Sequence, residues 1–407
     1  MKRIYILSSL LLFAALLPAC RKDAPELMNP NERQLCRTTS QVFEAFWHGM
    51  NNSYAFWDID PTDWDRVYDE YLPRFRALDD LETLDNETLQ ALYTEACRDL
   101  IDHHLAITVT NIDAPDPKSN TIVLQPGMDE VMTRDYYHYP ILGGAADGLI
   151  KGCIEAYKSA GRIEEYADGL YLNEDHLDMA MEAISYKIDG VIYFRLSAFT
   201  LSGVLELDPE GPVAQVVRNY HRMILETPDI KGVIIDVRDN FGGMLADMQQ
   251  ILAPLIDTET LIGYTRSKEG LGRLDYGPWV PCILAPAEQH RKVEAPVVVL
   301  ANIWSVSMSE MTSMAVSVLP NGCVVGERTF GGTGPLAGDY TFAYSGAASN
   351  ACVKIYTSTS MMKDAKGVIH EGVGVTPDIE SLQDEQGLLN GVDGQLERAL
   401  EYIRTGK

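Results

Sequence analysis

The sequence predicts an α/β fold in its second half, and three observations carry that expectation. Residues 231–237 and 296–301 are near-continuous apolar runs of strand length, the pattern of strands covered on both faces. Each run passes through a short loop into helical spacing: Leu245, Met248, Leu252 and Leu255 after the first, residues 307–318 after the second. Ahead of them lies a stretch with helical periodicity alone, so a small helical domain is expected to precede the α/β core.

The elements follow in order. Met1-Lys2-Arg3, an apolar run from Ile4 to Leu17, and Pro18-Ala19-Cys20 have the layout of an export signal over residues 1–19. The small-residue ending resembles a bacterial lipobox. Cys20 is therefore expected to be diacylated, with residues 20–34 as a polar, lipid-anchored tether in the bacterial cell envelope. Arg21, where an aspartate would retain the protein at the inner membrane, points to the outer membrane. No other apolar stretch approaches the roughly 18 residues that a bilayer span needs.

Residues 35–112 read as the helical domain, since Val42, Phe43, Phe46, Trp47 and Met50 recur at helical spacing, as do Leu89, Leu92, Tyr93, Ala96 and Leu100. The Pro- and Asp-rich residues 113–118 interrupt the pattern and mark an expected boundary. Residues 113–186 form an insert to which the sequence assigns no role, with helix-like stretches at 145–157 and 176–185. The core, 187–407, opens with a strand at 191–196 and a helix at 213–225. It continues through the two apolar strands, adds a strand at 323–329 and closes with a helix at 394–403.

Composition narrows the function. A chain of 407 residues with 46% hydrophobic content can bury a large core. A formal charge of −26 excludes binding nucleic acid through a basic face. Beyond Cys20 the six cysteines, Cys36, Cys97, Cys153, Cys282, Cys323 and Cys352, are too scattered for a disulfide framework or a Cys-x-x-Cys metal pair. They read as mostly core residues, and no metal or cofactor is implied.

Chemistry concentrates where the two apolar strands end. Free backbone N–H groups at a strand-to-helix junction can hold a developing negative charge, and a serine there is a candidate nucleophile. The block Ser305-Val-Ser-Met-Ser-Glu310 offers three serines, and local chemistry does not choose among them, because Ser305 or Ser309 could equally cap the helix. Gly242 and Gly243, after the other strand, are candidate oxyanion donors or simply the turn into the next helix.

Four segments then occur in a telling order: Arg238-Asp-Asn-Phe-Gly-Gly243, Ser305-Val-Ser-Met-Ser-Glu310, Val325-Gly-Glu-Arg-Thr-Phe330 and Glu371-Gly-Val-Gly-Val-Thr-Pro-Asp378. Together they resemble the tail-specific, or C-terminal processing, serine peptidase family, which includes the tricorn core protease and the interphotoreceptor retinoid-binding proteins. Trp64-Asp65 and Leu100-Ile-Asp-His-His104 resemble that family's N-terminal helical domain and its Asp-x-His segment. The resemblance implies a ClpP/crotonase-like catalytic core and puts the nucleophile at Ser307, with oxyanion amides at Gly242 or Gly243 and at Met308.

This chain departs from the better-known branch in its base. That branch has a lysine in a Gly-Lys-Gly segment, whereas this chain reads Gly331-Gly332-Thr333-Gly334. Phe241 also replaces the family's common proline. The tricorn-like branch uses a histidine oriented by an acid, and His104 matches that histidine. A neutral imidazole accepts a proton near neutral pH. Glu371 is the expected orienting carboxylate. His103 is the adjacent competitor, on the premise that neighbours on a helix cannot face one site.

The resemblance thus implies a serine endopeptidase with the triad Ser307, His104 and Glu371, acting on peptide or protein substrates, which the N-terminal signal and Cys20 would make an exported lipoprotein. The rival expectation is a catalytically silent protein that binds a hydrophobic ligand or peptide in the same cleft. The family's PDZ signature does not appear between Asp113 and Tyr186, so capture of a substrate's C-terminal carboxylate is not expected.

Overall fold

The computed structural model describes residues 36–141, 144–337 and 344–407. The expected export signal, Cys20 and the expected tether lie outside them.

Three helices open the chain: α1 (Thr39–Ser53), α2 (Trp64–Arg76) and α3 (Asn86–Cys97). Each begins at a side-chain cap. Thr38, Asp63 and Asp85 accept the backbone N–H of Gln41, Arg66 and Thr88, which satisfies donors that a helix start leaves free. The periodic residues seen in the sequence meet in an aromatic core. Phe43 stacks on Phe75 with ring centroids 4.3 Å apart, and Phe46 meets Tyr93 edge to face at 5.3 Å.

The chain then forms β1 (Ala106–Thr110), β2 (Thr121–Leu124), α4 (Pro126–Val131), α5 (Gly144–Ser159), β3 (Ile163–Tyr171), β4 (Met181–Ile188), β5 (Val191–Leu196), α6 (Leu201–Leu207) and α7 (Pro212–Glu226). Two expectations need correction here. Residues 113–118 connect the antiparallel pair β1–β2 instead of ending a unit. Residues 176–185, read as helix-like, are a single 3-10 turn running into β4, because Met181, Ala183 and Ile184 are buried against the sheet and cross-strand pairing overrides the local pattern. The expected helix at 145–157 is present as α5.

The second half holds β6 (Val233–Asp236), α8 (Met248–Ile251), β7 (Thr260–Ser267), β8 (Val280–Leu284), β9 (Val297–Ala301), α9 (Met308–Ser317), β10 (Gly322–Gly326), β11 (Ala347–Ser349), β12 (Val353–Tyr356), β13 (Ser360–Asp364), β14 (Ile379–Glu380), α10 (Glu385–Leu389) and α11 (Gly394–Thr405). Seven strands form the main sheet in the order β14-β10-β9-β6-β5-β4-β3. From β14 to β5 the pairs are parallel; β4 and β3 add antiparallel strands. The Asp189-Gly190 turn between β4 and β5 has φ of 53° and 85°, the left-handed backbone that a tight hairpin needs and that Asp-Gly supplies.

The apolar runs are explained by burial on both faces. Val297, Val299 and Ala301 enter one core cluster while Val298 and Leu300 enter another, and Val233 and Ile235 likewise oppose Ile234. This is the ClpP/crotonase-like α/β core preceded by a helical domain. A four-stranded sheet, β11-β12-β1-β2, shares the helical domain's core, and β13-β7-β8 form a third sheet. All six cysteines beyond Cys20 carry free thiols, four of them buried. No helix of the described residues is long and apolar enough to cross a membrane.

Phe43 is fully buried between helices. Phe43→Ala is therefore expected to lower the unfolding free energy by about 3–5 kcal/mol in urea denaturation, the range for emptying an aromatic core site; a loss under 1 kcal/mol would contradict this packing.

Candidate active site

The parallel strands β6, β9 and β10 end side by side, and their following loops build the site, as expected at the carboxyl ends of such a sheet. Buried charge fixes the first of these ends. Arg238 grips Asp236 through Nε (3.0 Å) and Nη2 (2.6 Å), and reaches Asp393 at the start of α11 through Nη1 (2.9 Å) and Nη2 (2.7 Å). Tyr193 donates to Asp236 at 2.5 Å. Burial alone would raise the Asp236 pKa, but Arg238 and Arg195 hold it well below the usual carboxylate range.

Two asparagines join the loops. Asn302 Oδ1 accepts the Asp239 amide at 3.0 Å while its Nδ2 donates back to Asp239 Oδ1 at 3.1 Å. Asn240 donates to the Leu196 carbonyl at 2.8 Å and accepts the Gly242 amide at 2.9 Å, and its own carbonyl takes Ser309 Oγ at 2.7 Å.

The three serines separate by their partners. Ser305 donates to the Val237 carbonyl at 2.8 Å and Ser309 to Asn240; both are fully buried. Ser307 lines a cavity and occupies the cap position of α9 with φ 58° and ψ −113°. A non-glycine residue there stores about 1–3 kcal/mol of strain and is held by its surroundings. Its amide donates to the Gly332 carbonyl (3.0 Å) and to Glu310 (3.2 Å).

Gly242 presses on this corner. A β-carbon placed on it would lie 2.6 Å from Ser307 Cβ and 2.8 Å from the Met308 nitrogen, and its φ is 92°. With the Gly242 amide taken by Asn240, the Gly243 and Met308 amides are the two candidate donors that find no acceptor among the described residues.

His103 and His104 both line the same cavity. The premise that they could not share a site is corrected, because residues 101–105 are not helical and 103–104 form a turn. They differ in freedom. His103 Nδ1 donates to the Phe330 carbonyl at 2.8 Å, which commits that ring. The His104 ring lies against Gly332, since a β-carbon there would sit 3.1–3.3 Å from its Cε1, Nε2 and Cδ2, and its Nδ1 is buried with no hydrogen-bond partner. Burial lowers the His104 pKa below 6.5, partly opposed by Asp102.

Glu371 accepts the amides of His103 (3.1 Å), Thr333 (2.8 Å) and Gly334 (2.7 Å), and the Thr333 hydroxyl at 2.9 Å. Burial, with Asp102 and Glu310 nearby, raises its pKa. One atom each of Asp102, His104 and Glu371 lies within 4.8 Å of the others, although no hydrogen bond joins His104 to Glu371. The carboxylates of this cluster are committed to protein donors: Asp102 accepts the His104 amide at 2.9 Å and the Ser358 amide at 2.9 Å, and bonds Thr357.

Three further positions that build the candidate site escaped the sequence reading. Glu310 accepts Ser307 N–H, Thr329 Oγ1 (2.5 Å) and the Gly331 amide (2.8 Å), and burial lifts its pKa to about 7. Thr333, in the segment where the better-known branch has its lysine, supports Glu371. Asp102 pins the histidine turn. The capping pattern Ser307-x-x-Glu310 was the visible signal for the first.

The cavity holds about 1360 Å³ and is walled by Met128, Met132, Trp304, Met311 and Phe330 among others. Phe241 is 45% exposed at its rim, with its ring 5.9 Å from Trp304.

A serine held at positive φ, with two amides that find no acceptor beside it at converging strand ends, makes Ser307 the candidate nucleophile of this core. Residues 190–381 match the model of peptidase family S41. Over 190 residues the chain is 27% identical to the chloroplastic carboxyl-terminal-processing peptidase 3 of Arabidopsis thaliana, covering 46% of this chain and 31% of that protein. It is also 27% identical over 179 residues to a protein of Streptomyces coelicolor named as a tricorn protease homolog, covering 42% of this chain and 13% of that one. The chain thus spans less than a third of the length of either relative. A solved structure from Parabacteroides merdae, designated a peptidase, shares the fold at a TM-score of 0.63 and 21% identity, over 91% of this chain and 98% of that one.

Gly242→Ala is expected to abolish fluorophosphonate labelling while leaving the circular dichroism spectrum unchanged, because the added carbon collides with the serine corner. Labelling within twofold of wild type would refute that geometry.

Proposed function

We propose that the protein is a serine endopeptidase working through an acyl-enzyme on Ser307. One observation supports this most: Ser307 is the serine of its block that faces the cavity, and Gly332 stands between it and His104, accepting the Ser307 amide on one side and touching the imidazole on the other. In this reading Ser307 Oγ attacks the peptide carbonyl carbon while its proton passes to His104. The carbonyl electron pair moves to oxygen, where the amides of Gly243 and Met308 stabilise the charge. His104 then protonates the leaving amine, the C–N bond breaks, and water deprotonated by the same imidazole hydrolyses the ester. Glu371 fixes the turn that carries the base by accepting the His103 amide. The shortage of a direct Glu371–His104 bond makes it a positioning carboxylate in the resting state.

The export signal and the lipobox-like Cys20 support a lipid-anchored protein of the cell envelope, at the outer membrane. Incorporation of labelled palmitate is expected in wild type and not in Cys20→Ala; equal incorporation would exclude this anchor.

Fluorophosphonate labelling tests the catalytic reading. Ser307→Ala should eliminate it and His104→Ala should slow it at least 100-fold, while His103→Ala keeps labelling the protein that folds. Because burial lowers the His104 pKa, the neutral base persists below pH 6.5, and the acid limb of the labelling rate should lie under that value. A step near pH 7 that Glu310→Gln removes would belong to Glu310 instead. A well-folded wild type that never labels would favour the silent binding protein, for which the large apolar cavity is the supporting feature.

A further inference from the structure

Resting on the catalytic reading of Ser307, the cavity also defines a substrate class. Its lining contains no lysine or arginine among the described residues. Besides tyrosines, its titratable members are His103 and His104, both shifted by burial toward the neutral imidazole, and Asp178. Apart from the uncharged polar groups of Gln125, Thr200, Ser307 and three tyrosines, the rest is mainly methionine, aromatic and aliphatic surface, and methionine walls adapt to varied apolar shapes.

A free carboxylate entering this space would lose its hydration with no cation to receive it, and it would approach the carboxylate of Asp178. An uncharged apolar stretch of chain loses little on desolvation and gains burial. The net charge of −26 adds a field of the same sign.

We infer that the cavity accepts an uncharged, apolar segment from the interior of a polypeptide and discriminates against a free terminal carboxylate, with Asp178 at the mouth as a specificity determinant.

The test uses two internally quenched peptides of identical apolar sequence, one ending in a carboxamide and one in a carboxylate. Cleavage is followed with wild type, and binding to Ser307→Ala by fluorescence anisotropy. The carboxamide is expected to lead at least tenfold in kcat/KM and in affinity. That lead should shrink in Asp178→Asn and shrink further in Asp178→Lys. Equal use of the two peptides, or preference for the free acid, overturns the inference. If the protein labels with fluorophosphonate but Ser307→Ala binds neither peptide, the substrate class is wrong while the catalytic reading stands. If it never labels, yet Ser307→Ala prefers the carboxamide, the catalytic reading falls and the binding preference holds.

Discussion

The site depends on how two buried carboxylates hold one loop. Glu310 takes the amide of Gly331 together with that of Ser307, and Glu371 takes the amides of Thr333, Gly334 and His103. Removing a carboxylate from water costs several kcal/mol unless donors replace the lost hydration. Here Glu310 receives three donors and Glu371 four, so the two acids are tolerated only while the 331–334 backbone keeps its path. That path in turn sets the Gly332 carbonyl under the Ser307 amide and the Gly332 α-carbon beside His104.

The rest of the fold supplies fixed ends for this clamp. The sheet delivers three loops from adjacent parallel strands, and the Asp236–Arg238–Asp393 cluster ties the first of them to the C-terminal helix. Reciprocal bonds between Asp239 and Asn302 prevent the first and second loops from shifting against each other. From the other side, the aromatic core of the helical domain carries the chain to Asp102, which fastens the histidine turn to Thr357 and Ser358. Ser307 and His104 thus come from separately packed cores, and their alignment depends on both.

The segment 113–186, silent as sequence, contributes twice. Its strands β3 and β4 extend the main sheet, and Met128, Met132, Tyr137 and Tyr139 line the cavity. Arg134 anchors this wall by donating to the Thr329 carbonyl at 2.8 Å and to the Phe330 carbonyl at 2.9 Å, immediately before the clamped loop. This wall of the cavity is therefore coupled to the loop that lies between Ser307 and His104.

By itself the sequence determined the α/β core, the helical domain ahead of it and the two strand ends where chemistry gathers, because unbroken apolar runs and helical periodicity record burial directly. It also singled out Ser307, His104, Glu371 and the two glycines, but through resemblance to ordered motifs and not through local chemistry. Tertiary structure alone decided which serine of the block faces the cavity, since Ser305 and Ser309 find their partners in Val237 and Asn240, some seventy residues away in the chain. It also decided that Gly242 gives its amide to Asn240 and leaves Gly243 free, that Thr333 supports Glu371, and that residues 176–185 end as a strand. Each of these turns on a contact distant in sequence, and no periodicity or motif can encode a partner that only folding brings near.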